Sequence, residues 1–242
     1  MYYFYGKSQK GKNKSNNDDF FCVNSAVEQL QSHKSQTIKR DFVFALADGV
    51  GGVYAGGKAA EYLTREISKK SKGLSHALLL NIIERVHAYL KKEYCLAAQT
   101  VFTAALCKNG KISLYHVGDC RAYKITKTDI VQLTNDHTFV QDLINSGLIG
   151  EEMKNSHPKK NLIKQALGGD NEISVDVYHN LLEPGERLIL TSDGVHDYLS
   201  EQEILDVFKS SNNIQKNIEQ LIRVAFENGS KDDITAVGVR CV

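Results

Sequence analysis

Three stretches of the sequence place an aspartate at one end of an apolar run. The runs in "FALADGVGG" and "RLILTSDGV" end in Asp-Gly, at Asp48 and Asp193, whereas in "SKDDITAVGV" Asp232 leads into the run. If the third run is antiparallel to the other two, its beginning lies beside their ends, and the three carboxylates gather at one edge of a sheet. Asp119, in "LYHVGDCR", lies in a break between two strands that we expect to pair as a hairpin, and it would add a fourth carboxylate.

A site made of several carboxylates indicates cation binding, because adjacent carboxylates repel one another unless a positive charge lies between them. An all-oxygen set without cysteine and without an evident histidine pair favours Mg²⁺ or Mn²⁺ over zinc. The glycine after Asp48 and the glycine after Asp193 would let a backbone carbonyl or water reach the ion. The competing explanation is that each Asp-Gly is only a turn, since this pair is a common turn signal after a strand.

Two kinds of apolar pattern predict the elements that position these residues. Short segments rich in β-branched and aromatic residues predict strands over residues 2–5, 20–23, 42–47, 101–106, 111–117, 121–125, 173–179, 187–191 and 234–240. Three- and four-residue spacing and capping boxes predict helices over 75–94 behind Ser75, over 213–229 with a stop at Gly229, after Ser200 with Glu203, after Thr138 with Gln141, and through 59–67. Because the strands come in clusters, the order favours an antiparallel α+β fold in stacked layers.

The composition is that of a globular protein, with 42% hydrophobic residues, 24% charged residues and a formal net charge of +1. The near-neutral charge argues against nucleic-acid binding by bulk electrostatics. The five scattered cysteines suggest neither a disulfide framework nor a thiolate zinc site, and they fit a reducing compartment. No run approaches the roughly 18 apolar residues of a membrane span, and the first residues lack the order of a secretory signal. We therefore expect a cytoplasmic protein without nucleic-acid or membrane partners, and a monomer as the default state.

Taken in order, the motifs of this chain resemble those of the metal-dependent protein phosphatases of the protein phosphatase 2C type, specifically the compact bacterial serine/threonine phosphatases. The matching stretches are "KSNNDD", "ADGVGG", "QTV", "VGDCR", "LTNDHTFVQDLINSGLI", "HPKKNLIKQALGG", "PGERLILTSDGVHDYLS" and "GSKDDITAV". The resemblance implies a single domain over residues 1–242, built as a four-layer α-β-β-α sandwich in which two mainly antiparallel sheets are flanked by helices. It also implies a flap subdomain at about residues 137–165 beside the active site.

The resemblance implies a metal-binding role for five residues. Asp48 would bridge two Mn²⁺ or Mg²⁺ ions, the Gly49 carbonyl would bind one of them, and Asp193 and Asp232 would hold the other. Asp119, together with Asp193, matches ligands of a weaker third metal.

Other matching positions carry expectations about substrate and second-sphere contacts. Asp18 matches an acidic residue that acts largely through metal-bound water. Lys14 stands where the family has the arginine that binds the substrate phosphate, so the charge is kept and the bidentate geometry is lost. Val50 stands where many eukaryotic members have a histidine proposed as general acid. Asp233 replaces the usual asparagine beside Asp232, and Thr100 belongs to a degraded Gly-Thr-Thr element.

The implied activity is hydrolysis of phosphoserine and phosphothreonine in proteins by a hydroxide that bridges two metals, in opposition to a Ser/Thr kinase. Two alternatives use the same fold. A catalytically silent phosphoprotein-binding module is motivated by the departures at Lys14 and Asp233. A phosphatase acting on small-molecule phosphoesters would use the same ions.

Overall fold

The structure is a computed structural model, and it describes residues 1–12, 14–37, 41–51, 55–154 and 156–242. The strands are β1 (Tyr2–Gln9), β2 (Asp19–Val23), β3 (Ala26–Glu28), β4 (Ser32–Thr37), β5 (Phe42–Gly49), β6 (Thr100–Lys108), β7 (Lys111–Val117), β8 (Arg121–Ile125), β9 (Ile130–Gln132), β10 (Asp176–Leu181), β11 (Arg187–Thr191) and β12 (Ile234–Cys241). The helices are α1 (Gly56–Lys69), α2 (His76–Tyr94), α3 (Phe139–Asn145), α4 (Asp193–His196), α5 (Glu201–Lys209) and α6 (Ile214–Glu227), with a 3₁₀ turn at Glu151–Met153.

The strands form two six-stranded sheets, and the described strand pairs are all antiparallel. One sheet has the order β4-β1-β12-β11-β8-β9 and the other the order β10-β7-β6-β5-β2-β3. The predicted antiparallel α+β sandwich is therefore confirmed.

Successive residues of a strand face opposite sides of its sheet, and the buried side chains therefore fall into three hydrophobic clusters. On β5, Phe44 and Leu46 lie between the two sheets, whereas Val43 and Ala45 pack against α1 and α2 on the outer face. The opposite outer layer packs α5 and α6 against the β1-containing sheet, through residues such as Ile222. Because β5 is covered on both faces, its sequence is apolar throughout and does not alternate with polar residues.

The helices begin where their capping residues predict. Ser75 accepts a hydrogen bond from the Leu78 amide at the start of α2, and Ser200 with Glu203 forms a complete capping box before α5. Thr138 caps α3 by accepting from the Gln141 amide. The Gln141 side chain contacts Asn145 and Lys154, so the capping box predicted there forms only in part. Within the described ranges, no helix combines the length and the apolar character needed to span a membrane.

The connection between β7 and β8 differs from the prediction. The two strands do not pair as a hairpin: β7 pairs with β6 and β10 in one sheet, whereas β8 pairs with β11 and β9 in the other. The chain therefore crosses between the sheets at Gly118 and Asp119. Gly118 has a φ of +103°, and a β-carbon there would lie 2.1 Å from Val101 Cγ1, so this crossing requires glycine.

Candidate metal and phosphate site

The predicted carboxylates come together at one end of the sandwich, between the two sheets. Asp48 is near the end of β5 in one sheet, whereas Asp193 follows β11 and Asp232 precedes β12 in the other. The expectation that they share the edge of a single sheet is therefore wrong, because β5 pairs with β2 and β6 instead of β12. Asp119 joins them from the crossing between the sheets, so each sheet supplies part of the site.

Asp19 belongs to the same cluster and had no role in the sequence prediction. It lies directly opposite Asp48 in the β2–β5 pair, and opposite residues of neighbouring strands project to the same face. Its carboxylate accepts a hydrogen bond of 2.8 Å from Ser192 Oγ, next to Asp193.

Asp18 points elsewhere, because consecutive residues of a strand face opposite sides of the sheet. Its Oδ1 lies beside Gly57 in the first turn of α1, where an added β-carbon would be 2.5 Å away. Its backbone does take part in the site, since the Asp18 carbonyl accepts from the Gly49 amide at 3.2 Å. Asp19, not Asp18, therefore directs its carboxylate to the cluster between the sheets.

The carboxylates perturb one another strongly. Burial raises the pKa of Asp48 well above its usual range, and the charges of Asp19, Asp193, Asp119 and Asp232 raise it further. Burial and then Asp232 act in the same direction on the pKa of Asp193. Burial raises the pKa of Asp19 to about 7, with Asp233 as the next cause, and raises that of Asp119 to about 7, with Asp136 next. Without a cation, the site holds protons that carboxylates ordinarily lose.

The donor set fits Mg²⁺ or Mn²⁺. Oδ1 of Asp193 is buried and has no hydrogen-bond partner in the described part of the chain, so this carboxylate oxygen is available to a cation. Within the described residues, no three His, Cys, Asp or Glu side chains already surround one point as a finished ligand set. One cause is visible at Asp232, where Lys14 contacts the carboxylate. The oxygen-only chemistry and the unpaired oxygen therefore support a hard divalent ion.

Lys14 is held by the two aspartates at the start of β12. Its Nζ contacts Asp232 Oδ1 and lies 3.2 Å from Asp233 Oδ2. Burial lowers the pKa of Lys14, but the hydrogen bond and charge of Asp232, followed by those of Asp233, raise it above its ordinary value. The cation predicted to bind the substrate phosphate thus lies at the metal site, paired with one of the predicted ligands.

Asp233 organises the loop that carries Lys14. Its side chain is 1% exposed and accepts hydrogen bonds of 2.8 Å from the backbone amides of Gly11 and Asp18. A carboxylate can accept from both amides and from Lys14 together, whereas an asparagine would present its NH₂ group to one of these donors. An aspartate at position 233 is therefore better suited than an asparagine to accept a hydrogen bond from the lysine at position 14.

The glycines beside the aspartates allow close backbone contacts. A β-carbon on Gly49 would lie 2.3 Å from the Gly56 carbonyl carbon, and one on Gly194 would lie 2.0 Å from the Asp233 carbonyl oxygen. These contacts dock α1 on the end of β5 and α4 on the start of β12. Thr100 adds a hydrogen bond of 2.7 Å from its Oγ1 to the Asp48 carbonyl. The Asp-Gly pairs therefore serve packing as well as access to the site.

A buried charge network lies between the site and the predicted flap. Arg121 binds Asp136 through Nε at 3.0 Å and Nη2 at 2.7 Å. Lys154, from the flap, lies 3.1 Å from the same carboxylate. Against the effect of burial, Arg121 and then Lys154 hold the pKa of Asp136 well below its usual range. Lys160 forms a second link from the flap, with Nζ 2.8 Å from Asp197 Oδ2.

His137 fixes the turn that carries Asp119. Its backbone amide donates to the Gly118 carbonyl at 2.7 Å, and its Nδ1 accepts from the Gly118 amide at 3.2 Å. No sequence pattern singles out this histidine, because the turn that it contacts lies 19 positions earlier in the chain.

Comparisons with known proteins agree with this architecture. A protein-family model described as Protein phosphatase 2C matches residues 164–234, a range that contains Asp193 and Asp232. The serine/threonine phosphatase stp of Listeria welshimeri is 29% identical over 208 residues, which cover 81% of this chain and 82% of that protein. The serine/threonine protein phosphatase PstP of Mycobacterium tuberculosis is 30% identical over 204 residues, which cover 81% of this chain and 39% of that protein.

Solved structures extend the similarity to nearly the whole chain. A serine/threonine phosphatase from Staphylococcus aureus superposes with a TM-score of 0.86 at 26% identity, covering 99% of this chain and 94% of that one. The catalytic domain of the phosphatase PstP in complex with two manganese ions superposes with a TM-score of 0.77 at 25% identity, covering 99% of both chains. The family model, the relatives and the superpositions agree with the two-sheet fold and the carboxylate cluster, and the chain belongs to the protein phosphatase 2C family, beside the bacterial serine/threonine phosphatases.

Proposed function

We propose that this chain is a Mn²⁺- or Mg²⁺-dependent phosphatase that hydrolyses phosphoserine and phosphothreonine in proteins. The observation that carries the proposal is the carboxylate cluster between the sheets, in which buried aspartates raise one another's pKa and Asp193 keeps an unpaired oxygen. Membership of the family and the names of the relatives support the phosphoprotein substrate.

The ligand roles are those that the resemblance implies, and the gathering of these side chains supports them. Asp48 would hold both ions, the Gly49 carbonyl one of them, and Asp193 and Asp232 the other, with Asp119 beside Asp193 at a weaker third position. When bound, such a pair of ions lowers the pKa of a shared water and neutralises phosphoryl charge. Asp19, opposite Asp48, would act on the pair from a position fixed by Ser192.

Lys14 would bind the substrate phosphate as a point charge. In the structure its ammonium is shared with Asp232 and Asp233, so a phosphate competes with two carboxylates for the same donors. If Asp232 bound a cation instead of Lys14, the lysine would become available to the phosphate. Val50, packed against the inter-sheet cluster, offers no proton to a leaving alkoxide; solvent would supply it.

We further propose that residues 137–165 act as a flap. The base of this segment is closed by the Thr138–Ile163 bridge and by a hydrogen bond of 2.8 Å from the Lys164 amide to the His137 carbonyl. Lys154 and Lys160 attach it to Asp136 and Asp197, beside the metal site. Contacts of this kind would let the segment shape substrate access without disturbing the sheets.

The proposed setting is the cytoplasm, where a monomer would oppose a Ser/Thr kinase. Cys22, Cys95, Cys107, Cys120 and Cys241 are all free thiols in the structure, which fits a reducing compartment.

The test uses metal-stripped protein titrated with Mn²⁺ or Mg²⁺, with hydrolysis of p-nitrophenyl phosphate and of a phosphothreonine peptide as the activity readouts and calorimetry as the binding readout. We expect metal-dependent turnover that Asp193→Ala abolishes, together with weaker Mn²⁺ binding. Asp170→Ala is the matched control, because its side chain is 81% exposed and is not a proposed metal ligand.

Each alternative has its own outcome. Turnover that survives Asp193→Ala would refute the metal-dependent proposal. Mn²⁺ and phosphopeptide binding without turnover would identify the catalytically silent module, which the pairing of Lys14 with two carboxylates favours. Turnover of small phosphoesters with none of the peptide would identify a small-molecule phosphatase.

A further inference from the structure

Two arginines lie side by side at the end of β12 remote from the metal site. Arg187 of β11 and Arg240 of β12 are directly opposite in the antiparallel pair, so their side chains start about 5 Å apart on one face of the sheet. Seven residues separate Arg240 from Asp233, which places the pair about 23 Å along the strand from the carboxylates.

The surroundings of the arginines leave their charges uncompensated. Arg187 is 2% exposed, and its hydrogen bonds go to the neutral oxygens of Asn212 (2.9 Å), Ser211 (3.3 Å) and Gly185 (3.5 Å). Arg240 donates to the Asn212 carbonyl at 2.7 Å. In the described part of the chain, neither guanidinium has a carboxylate within ion-pair distance.

Two donors in this region have no acceptor. Nε of Arg187 and Nε of Arg240 are buried without a hydrogen-bond partner among the described residues. Glu219, an acidic side chain on α6, is occupied by the Tyr5 hydroxyl at 2.7 Å and by Gln215 Nε2 at 3.0 Å. Buried polar groups of native proteins are generally paired, so two orphaned guanidinium nitrogens on one face of the sheet indicate a missing acceptor.

A cleft of about 530 Å³ opens at this point. Arg240, Ser35, Lys34, Asn212, Gln215 and Tyr3 are among its lining residues. A volume in this range suits a small ligand, and the lining combines two cationic side chains with hydroxyl and amide groups. The forked donors of the Arg240 guanidinium match the oxygens of a tetrahedral dianion, and the Lys34 ammonium adds a second positive charge.

We propose that the cleft between β4, β12 and the start of α6 is a second anion site, which binds a phosphate monoester through Arg240 and Lys34, with Arg187 beside Arg240 in the sheet. The phosphoryl group would belong either to a phosphorylated side chain of a protein or to a free phosphorylated metabolite. Binding there does not depend on the metal site, since none of its groups is a proposed metal ligand.

The test is an NMR titration of metal-stripped protein that observes the arginine Nε–H signals. Inorganic phosphate, free phosphoserine and a phosphoserine peptide are the three probes. We expect a saturable shift of the Arg240 signal, because its Nε gains an acceptor, and a smaller shift of the signal of the neighbouring Arg187. Saturation by the peptide at lower concentration than by free phosphoserine assigns the site to phosphoproteins, and the reverse order assigns it to metabolites.

Arg240→Gln is the variant of choice, because Arg240 is less buried than Arg187 and its loss spares the fold. We expect it to weaken binding by about tenfold or more, the effect of removing a charged donor. Arg223→Gln is the matched control: it removes the same charge from an exposed position on α6. Equal responses of the two variants, or shifts that grow with salt and never saturate, would overturn the proposal. Lys34→Gln repeats the test with a second residue of the cleft.

Discussion

At the scale of single residues, Asp233 joins the loop that carries Lys14 to the start of β12. It accepts from two backbone amides and from the lysine, with almost no access to water. A buried group with three donors around it is sensitive to the loss of one acceptor oxygen.

We predict that Asp233→Asn destabilises the metal-free protein by about 1–3 kcal/mol, because the new NH₂ group faces a donor and leaves a buried amide unpaired. Denaturant unfolding in the presence of a chelator measures the change. Asp170→Asn makes the same substitution at an exposed position and serves as the reference. Equal stability of the two variants would show that Asp233 does not hold the loop.

His116 gives the protein a pH-dependent stability that is independent of the metal ligands. Burial and then the neighbouring His137 lower its pKa from 6.5 to about 4, against the opposing charges of Asp136 and Asp176. Thr103 Oγ1 and the Asn135 carbonyl complete its contacts.

Because the folded state holds this histidine neutral, the unfolded state binds more protons below pH 6.5, and stability falls as the pH drops from 6.5 towards about 4. The full effect is about 3 kcal/mol. We predict that His116→Gln flattens this slope in unfolding titrations between these pH values, whereas His179→Gln, at an exposed position, leaves it unchanged. A wild-type slope in His116→Gln would contradict the assignment.

At the scale of elements, the first residue of α1 meets the end of β5 through a close contact between two glycines. Gly49 and Gly56 meet backbone to backbone, so no side chain fits between them. Gly51, two residues on, has no atom within 4 Å of an added β-carbon.

We therefore predict that Gly49→Ala costs about 1–3 kcal/mol or more through overpacking, and that Gly51→Ala is nearly neutral. Thermal unfolding of the two metal-free proteins gives the comparison. Similar melting temperatures for both variants would mean that α1 shifts freely, and that the close contact does not fix its position.

The sequence predicted those elements whose hydrophobic pattern is strong. β7, β8 and β11 have the bounds expected from their apolar runs. β4, with the sequence "SHKSQT", has no apolar residue and lies at an edge, so only its pairing with β1 defines it. β3 and β9 have three residues each and were not predicted, because so short a run shows no period.

The sequence predicted which aspartates gather at the candidate site, but it predicted their arrangement in the two sheets less well. Asp48, Asp193, Asp232 and Asp119 do come together, but through two sheets, because pattern within a strand does not reveal which sheet it joins. The side-chain direction of Asp18 and Asp19 depends on the register of β2 with β5, and the sequence does not specify that register. The partnership of Lys14 with Asp233 spans 219 positions of the chain and appears only in three dimensions.

At the scale of the whole molecule, the charges are arranged at opposite ends of the sandwich, carboxylates at one end and two arginines at the other. The carboxylate end destabilises the metal-free fold, because its aspartates repel one another in a buried site. A divalent ion would reverse this effect.

We predict that Mn²⁺ raises the melting temperature of the protein in a saturable way, with a gain of about 2.7 kcal/mol at a concentration 100 times the dissociation constant. Differential scanning calorimetry with and without chelator measures it. Asp193→Ala should lose most of the rise, whereas Asp170→Ala should keep it. The same rise in both variants would place the ion elsewhere.

The position of β12 has a consequence for biosynthesis. This strand lies between β1 and β11, and without it that sheet divides into the β4–β1 ribbon and the β11–β8–β9 unit. During translation β1 is therefore made more than 220 residues before β12, the strand with which it pairs. Asp232 and Asp233 are synthesised immediately before that partner. A chain that stops before β12 thus lacks both the central strand and two acidic residues of the candidate site, so it can complete neither the sheet nor the site.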